Sequence, residues 1–193
     1  MSGEGSVIKA PPPLAGSSDS TQENPSATLA GELCSRTRMR YVLLDRISEL
    51  HPPEQALGVK CVSLADDVFV DHFPGHPVLP GALILESLAQ LGGVLLEATM
   101  RSRGRSDLHA LLVSVERARF RRLVRPGDKM LLEAKGLTAS EDGGQVRAFA
   151  RVDEQLVAEA ELTFAFVQVK HASLIAKRRE VLNVWLHGSS EEP

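Results

Sequence analysis

Residues 82–99 read Ala-Leu-Ile-Leu-Glu-Ser-Leu-Ala-Gln-Leu-Gly-Gly-Val-Leu-Leu-Glu-Ala-Thr, and only Glu86, Ser87, Gln90, Glu97 and Thr99 break the apolar character. No proline follows Pro80-Gly81, so a helix starts there and continues to about Met100. A helix that is apolar on nearly every side must be covered on every side. About 20 residues at 1.5 Å each span roughly 30 Å, the width of a small domain. The rest of the chain therefore has to wrap this helix. Glu86 and Gln90 interrupt the run and argue against a membrane span. No signal-peptide core is visible, so the reading is a soluble cytoplasmic protein.

The wrapping material lies mostly after the helix. Past a polar connector at residues 102–107, the apolar period changes from helical to two. Residues 110–121 and 129–137 read as strands, the second entered through a Pro126-Gly127-Asp128 turn. Val146, Ala148, Ala150 and Val152 share one face of a further strand, and Leu156, Ala158, Ala160, Leu162 and Phe164 line the next. Turns at Asp142-Gly143-Gly144 and Asp153-Glu154 make these an antiparallel meander. Before the helix, residues 59–64 read as a strand. One buried helix against such a sheet is α+β.

The ends differ in composition. Residues 1–34 carry the Pro11-Pro12-Pro13 run, many serines and glycines and little periodic apolar pattern, which reads as a disordered tail. Residues 35–168 form the domain. In residues 169–187, Leu174, Ile175, Val181, Leu182, Trp185 and Leu186 recur at three to four, an amphipathic helix expected to pack on its own domain. Residues 188–193 read as a second disordered tail. The net charge of −3 gives no reason to expect nucleic acid or a membrane surface as partner. Cys34 and Cys61 make no disulfide framework and fit a reducing compartment. The histidines show no metal-ligand spacing; His76 and His109 read as ordinary loop or surface residues.

The chemistry concentrates in residues 71–90. Pro74, Pro77 and Pro80 fix φ and push Phe73, His76 and Leu79 toward extended backbone, while Gly75 and Gly81 supply freedom. His72 is thus a positionable imidazole. Glu86 is a carboxylate in an apolar helix, four residues before Gln90 and on the same face. Burial there should favour the protonated acid. One group to remove a proton and one to donate a proton is the requirement of general acid–base chemistry.

These residues resemble the signature of the FabZ-type 3-hydroxyacyl-ACP dehydratases, which have a hot-dog fold: a sheet wrapped around one long helix. The matches are His72-Phe73-Pro74-Gly75, Pro77-Val78, Pro80-Gly81, Leu83, Glu86 and Ala89-Gln90. Ala118-Arg119-Phe120-Arg121-Arg122 and Arg125-Pro126-Gly127-Asp128 resemble the family's second landmark, and residues 41–46 its start, where a short helix leads into the first strand. The related FabA type carries Asp where this chain has Glu86, which points to the FabZ branch and to dehydration without much double-bond isomerisation.

The resemblance implies roles. His72 would be the general base and Glu86 the general acid on a 3-hydroxyacyl chain borne by the phosphopantetheine arm of acyl carrier protein. The Gly81 N–H would polarise the thioester carbonyl, the Val78 carbonyl would orient His72, and Gln90 would orient Glu86. Phe73 and Pro80 complete the substrate-binding set. No metal or redox cofactor is implied. The implied assembly is a homodimer, or a trimer of dimers, with the site shared between subunits. Three features depart from the pattern: Asp71 stands where the family often has Gly, Ala110-Leu111-Leu112 stands where aromatics are frequent, and the two chain ends are additional. They point to a variant serving a specialised lipid or polyketide route rather than housekeeping fatty acid synthesis.

Residues 101–135 hold ten Lys/Arg and four Asp/Glu, a local balance of 10 − 4 = +6. Arg117, Arg119 and Arg121 alternate onto one strand face; with Arg122 and Arg125 they form a candidate docking patch for an acidic carrier protein. A solvated sheet face is the competing reading. Two other functions stay open: a hot-dog acyl-thioesterase, and a non-catalytic acyl-carrier-binding protein.

Overall fold

The computed structural model describes residues 41–186; the two tails and residues 35–40 lie outside them, and the short helix expected over residues 41–46 is absent, since residues 41–45 are irregular and β1 begins at Arg46. Six strands form one sheet: β1 (Arg46–His51), β2 (Gln55–Cys61), β3 (Leu108–Phe120), β4 (Lys129–Ala139), β5 (Gly143–Val152) and β6 (Gln155–Gln168). Their spatial order is β1-β2-β4-β5-β6-β3, and every pairing is antiparallel. The 22-residue helix α1 (Gly81–Ser102) lies against the sheet, and a second helix, α2 (Ala172–Leu186), follows β6. This is the α+β arrangement expected from the two periodicities.

The core is the contact between α1 and the inner sheet face. Leu88, Leu91 and Leu95 are completely buried, as are Met130, Ala134, Val146, Ala148, Ala150 and Ala158 on the strands. Truncating such a leucine to Ala costs about 2–5 kcal/mol. The alanines keep the inner face shallow, so that the helix approaches closely. At Gly92 an added Cβ would stand 2.7 Å from the Val146 side chain, so this helical glycine is a packing requirement. By length and composition α1 could cross a bilayer, but most of its apolar stretch is buried by the protein itself. It is the core element of the domain.

Two strand boundaries move. The strand expected at residues 59–64 is β2, Gln55–Cys61. The Pro52-Pro53-Glu54 turn joins β1 to β2 and sets the earlier start, while Val62 leaves the ladder and its N–H donates to the Asp128 carbonyl at 2.9 Å. Residues 41–44 are not helical. Helix α2 packs on the domain through one end: Trp185 is buried and its Nε1–H donates to the Leu44 carbonyl at 2.7 Å, whereas Leu174 and Val184 stay exposed.

Candidate active site

The loop before α1 holds His72 with its own backbone. The His72 N–H donates to the Val68 carbonyl at 3.1 Å, and the Val78 N–H donates to the His72 carbonyl at 3.2 Å. The Val78 carbonyl in turn lies 2.8 Å from His72 Nδ1. A carbonyl oxygen can only accept, so Nδ1 carries the ring proton and Nε2 is left with its lone pair. The ring stacks on Phe73, with centroids 4.1 Å apart. The His72–Phe73 peptide is cis. Asp71 is exposed and caps a short 3-10 turn, Asp67–Val70, so the ring's orienting hydrogen bond comes from the backbone and not from this carboxylate.

The loop closes onto α1 at Pro80, whose carbonyl accepts from Leu83 and Ile84. Gly81 is then the first helical residue, and its N–H has no partner within the helix. A Cβ at Gly81 would lie 2.8 Å from the Phe120 ring at the end of β3, so only glycine lets that ring pack on the start of α1.

Glu86 is held differently. Gln90 Nε2 donates to Glu86 Oε1 at 2.9 Å and to the Tyr41 carbonyl at 3.2 Å, while Gln90 Oε1 accepts from the Leu43 N–H at 2.9 Å. The amide is thereby fixed at both ends. Glu86 is half-buried, less enclosed than an all-apolar helix implies, because α1 turns this face toward two clefts. One cleft, of about 260 Å³, runs between α1 and β3 past Ala89, Gly93, Ala110 and Leu112. The other, of about 320 Å³, lies under Tyr41, Val42 and helix α2. His72 lines neither of these two clefts.

Arg178 borders both clefts, and it joins two further residues outside the expected set, Glu97 and His109. Glu97, nearly fully buried, accepts from the Ala110 N–H at 3.1 Å and from Arg178 Nη2 at 3.2 Å. His109 Nδ1 lies 3.7 Å from the same carboxylate, so His109 is a half-buried member of a charged cluster and not an ordinary surface residue. The signal was present: Glu86, Gln90, Gly93 and Glu97 fall at steps of four, three and four, one stripe of α1. Arg178 gave no local signal.

The arginine patch divides in two. A bulge between Glu116 and Arg119, with Arg117 at φ 51°, breaks the simple alternation. Arg117, Arg119 and Arg121 still meet in one cleft with Arg147, but acids meet them there: Arg117 pairs with Glu161 at 3.0 Å and Arg121 with Glu159. The Arg121 hydrogen bond holds the Glu159 carboxyl below its usual range. Arg122 and Arg125 line a separate cleft with Asp128 and Asp153.

Comparison with known proteins identifies the family. Residues 36–161 match the model of the FabA-like domain. The chain is 39% identical over 148 residues to a 3-hydroxyacyl-[acyl-carrier-protein] dehydratase FabZ of Protochlamydia amoebophila, spanning 75% of this chain and 94% of that one. It is 42% identical over 128 residues to the FabZ of Bacillus velezensis, spanning 66% and 89%. Among solved structures, the dehydratase heterocomplex ApeI:P of Xenorhabdus doucetiae superposes with a TM-score of 0.56 at 20% identity, covering 72% of this chain and 90% of that one. A thioesterase from Haemophilus influenzae gives 0.53 at 17%, covering 74% and 91%. At such identities these two share the hot-dog fold alone. The chain belongs to the FabA-like family, in its FabZ-type dehydratase branch.

Proposed function

We propose that this protein dehydrates 3-hydroxyacyl thioesters carried by acyl carrier protein, giving trans-2-enoyl thioesters and water in fatty acid or related lipid or polyketide synthesis in the cytoplasm. One observation carries the reading: a histidine with Nδ1–H fixed on the Val78 carbonyl, and so with Nε2 free to accept, in the same 15-residue motif as an amide-clamped Glu86. His72 Nε2 removes the C2 proton. The C2–H electron pair becomes the C2=C3 double bond, and the C3–O bond breaks. Glu86, protonated, gives its proton to the departing oxygen, which leaves as water. The Gly81 N–H, at the positive end of α1, takes the charge that builds on the thioester oxygen. The reaction gains and loses no electrons, so the scheme needs no redox cofactor, and the Gly81 N–H and protonated Glu86 supply the polarisation and the acid it requires.

The active unit in this reading is a two-fold dimer. β3 is one of the two edges of the sheet among the described residues, and Leu111, Val113 and Val115 are exposed along it. An uncovered apolar edge strand is a pairing surface, and pairing with the β3 of a second copy would bring His72 of one subunit to Glu86 of its partner. Trimers of such dimers are a further state. Arginines near the end of β3, Arg119 and Arg122 foremost, steer the acidic carrier.

Complementation tests both proposals. His72→Ala and Glu86→Gln homodimers should each lose about 10²–10⁴-fold in activity. Co-refolded, half of the dimers are mixed, and each has one intact site, so activity should return to about a quarter of wild type. Mixed dimers that form yet stay inactive would rule out a shared site. Absence of enoyl product from wild-type protein on a panel of 3-hydroxyacyl-ACPs would rule out the dehydratase.

A further inference from the structure

We infer that Arg178, on the C-terminal helix α2, is a specificity residue that limits acyl chain length by closing the far end of the cleft beside Glu86. The inference rests on the dehydratase reading for its substrate class. It stands on features outside that reading, since Arg178 lies beyond residues 36–161 that match the family domain.

The cleft begins at Glu86 and follows α1 past Ala89 to Gly93, with Ala110, Leu112 and Phe164 as its other wall. These are small or apolar surfaces, suited to an alkyl chain. Arg178 borders this cleft and also the second one under α2, and Glu86 and Gln90 border both as well. The guanidinium therefore stands in the partition between them. It is fixed there: Nη2 donates to the buried Glu97 at 3.2 Å, and the Trp185 ring lies beneath it, 6.0 Å from centroid to guanidinium carbon. Glu97 is itself fixed by the Ala110 N–H. An alkyl terminus arriving here meets a charged guanidinium paired with a buried carboxylate, which it can neither solvate nor displace cheaply.

Geometry sets the length. From Glu86 to Gly93 is seven residues, about 10 Å along the helix axis. An extended chain advances about 1.2 Å per bond, from roughly 3.6 Å per three-bond residue. About eight bonds beyond C3 thus reach Gly93, the last α1 residue that lines the cleft together with Arg178. Acyl chains up to about C10 to C12 fit, and C16 does not. Beyond the limit, misfit of even one methylene is worth roughly 10-fold or more in discrimination.

The test measures kcat/KM for C4, C8 and C16 3-hydroxyacyl-ACP, together with calorimetric Kd for the saturated C8 and C16 acyl-ACPs. Wild type should favour C8 over C16 by roughly 10-fold or more. Arg178→Ala combined with Glu97→Gln avoids stranding a buried carboxylate and joins the two clefts; the C16/C8 ratio should rise about 10-fold in both measurements. Gly93→Ala is the opposing variant. Its added Cβ meets Phe164 at 3.6 Å and Ala110 at 3.7 Å, ordinary contacts that narrow the cleft without a clash, so C8 should fall relative to C4. Folding of each variant is checked by thermal unfolding; if the double variant does not fold, a wild type that turns over and binds C16 as well as C8 overturns the role of Arg178. Unaltered length ratios with C8 turnover intact overturn the role of Arg178 and leave the dehydratase standing. No enoyl product at any length overturns the dehydratase, and the length break in Kd then decides the cleft by itself.

Discussion

His72 and Glu86 are held by opposite means. The imidazole is oriented by a carbonyl six residues away, inside a loop whose prolines restrict its own shape. The carboxylate is oriented by Gln90, one turn along α1, but Gln90 is itself clamped by backbone groups of Tyr41 and Leu43, 49 and 47 residues away. That distant segment is anchored in turn by α2, because Trp185 donates to the Leu44 carbonyl. The base belongs to a local unit that travels with its loop. The acid depends on three parts of the chain converging. Damage far from the site should therefore reach Glu86 before it reaches His72.

The largest effect removes the groups themselves. His72→Gln and Glu86→Gln should each cost about 10²–10⁴-fold in kcat, measured as enoyl-ACP formation with folding confirmed by circular dichroism. Equal, small losses would end the comparison at its start. Next comes Gln90→Ala. It strands the partly buried Leu43 N–H, worth about 1–3 kcal/mol of stability, and releases Glu86, where a misplacement of 1 Å costs up to about 10²-fold. The expected signature is a fall in kcat with little change in KM, beside a lowered Tm. Unchanged kcat would show that Gln90 supports the fold and not the acid.

Trp185→Phe probes the longer arm of the same clamp. It keeps the ring and removes the hydrogen bond to Leu44, so stability should drop by about 1 kcal/mol. If residues 41–44 transmit to Gln90, kcat should fall severalfold while the His72 loop stays unaffected, as read by hydrogen exchange at residues 72–79. A loss of protection confined to those loop residues would reverse the comparison. The smallest effects belong to the outer arginines. Arg117 and Arg121 already pair with Glu161 and Glu159, so Arg119→Glu and Arg122→Glu should raise KM for the carrier-borne substrate more than Arg117→Glu does. A short pantetheine analogue should show no such ranking, because rim charges act on carrier encounter. Equal effects on both substrates would remove this patch from carrier docking.

Stability carries one pH-dependent contribution that lies away from the site. Burial alone would raise the Glu133 carboxyl, but hydrogen bonds from Lys135 and Arg151 outweigh it and hold the carboxyl below its ordinary value. A depressed carboxyl stabilises the fold above the unfolded glutamate pKa of about 4.3 and loses that contribution as pH falls below it. Glu133→Gln should therefore narrow the stability difference between pH 7 and pH 3, seen as converging Tm values.

The sequence by itself determined the central helix, the antiparallel meander and the His72 loop, because each follows from short-range terms: period, proline and glycine placement, and backbone reach over a few residues. It also carried the stripe Glu86, Gln90, Gly93 and Glu97, since helical periodicity alone puts them on one face. Tertiary structure decided the rest. The β1–β2 hairpin moved the second strand to Gln55–Cys61 through its pairing, the bulge at Arg117 rearranged the arginines, and the clefts left Glu86 half-buried where an apolar helix implied full burial. Above all, Arg178 reached Glu97 across 81 residues of sequence. Nothing local marks an arginine on a polar helix face as the partner of a buried carboxylate. That choice is made only when the two surfaces meet and the uncompensated charge has to find its counter-ion.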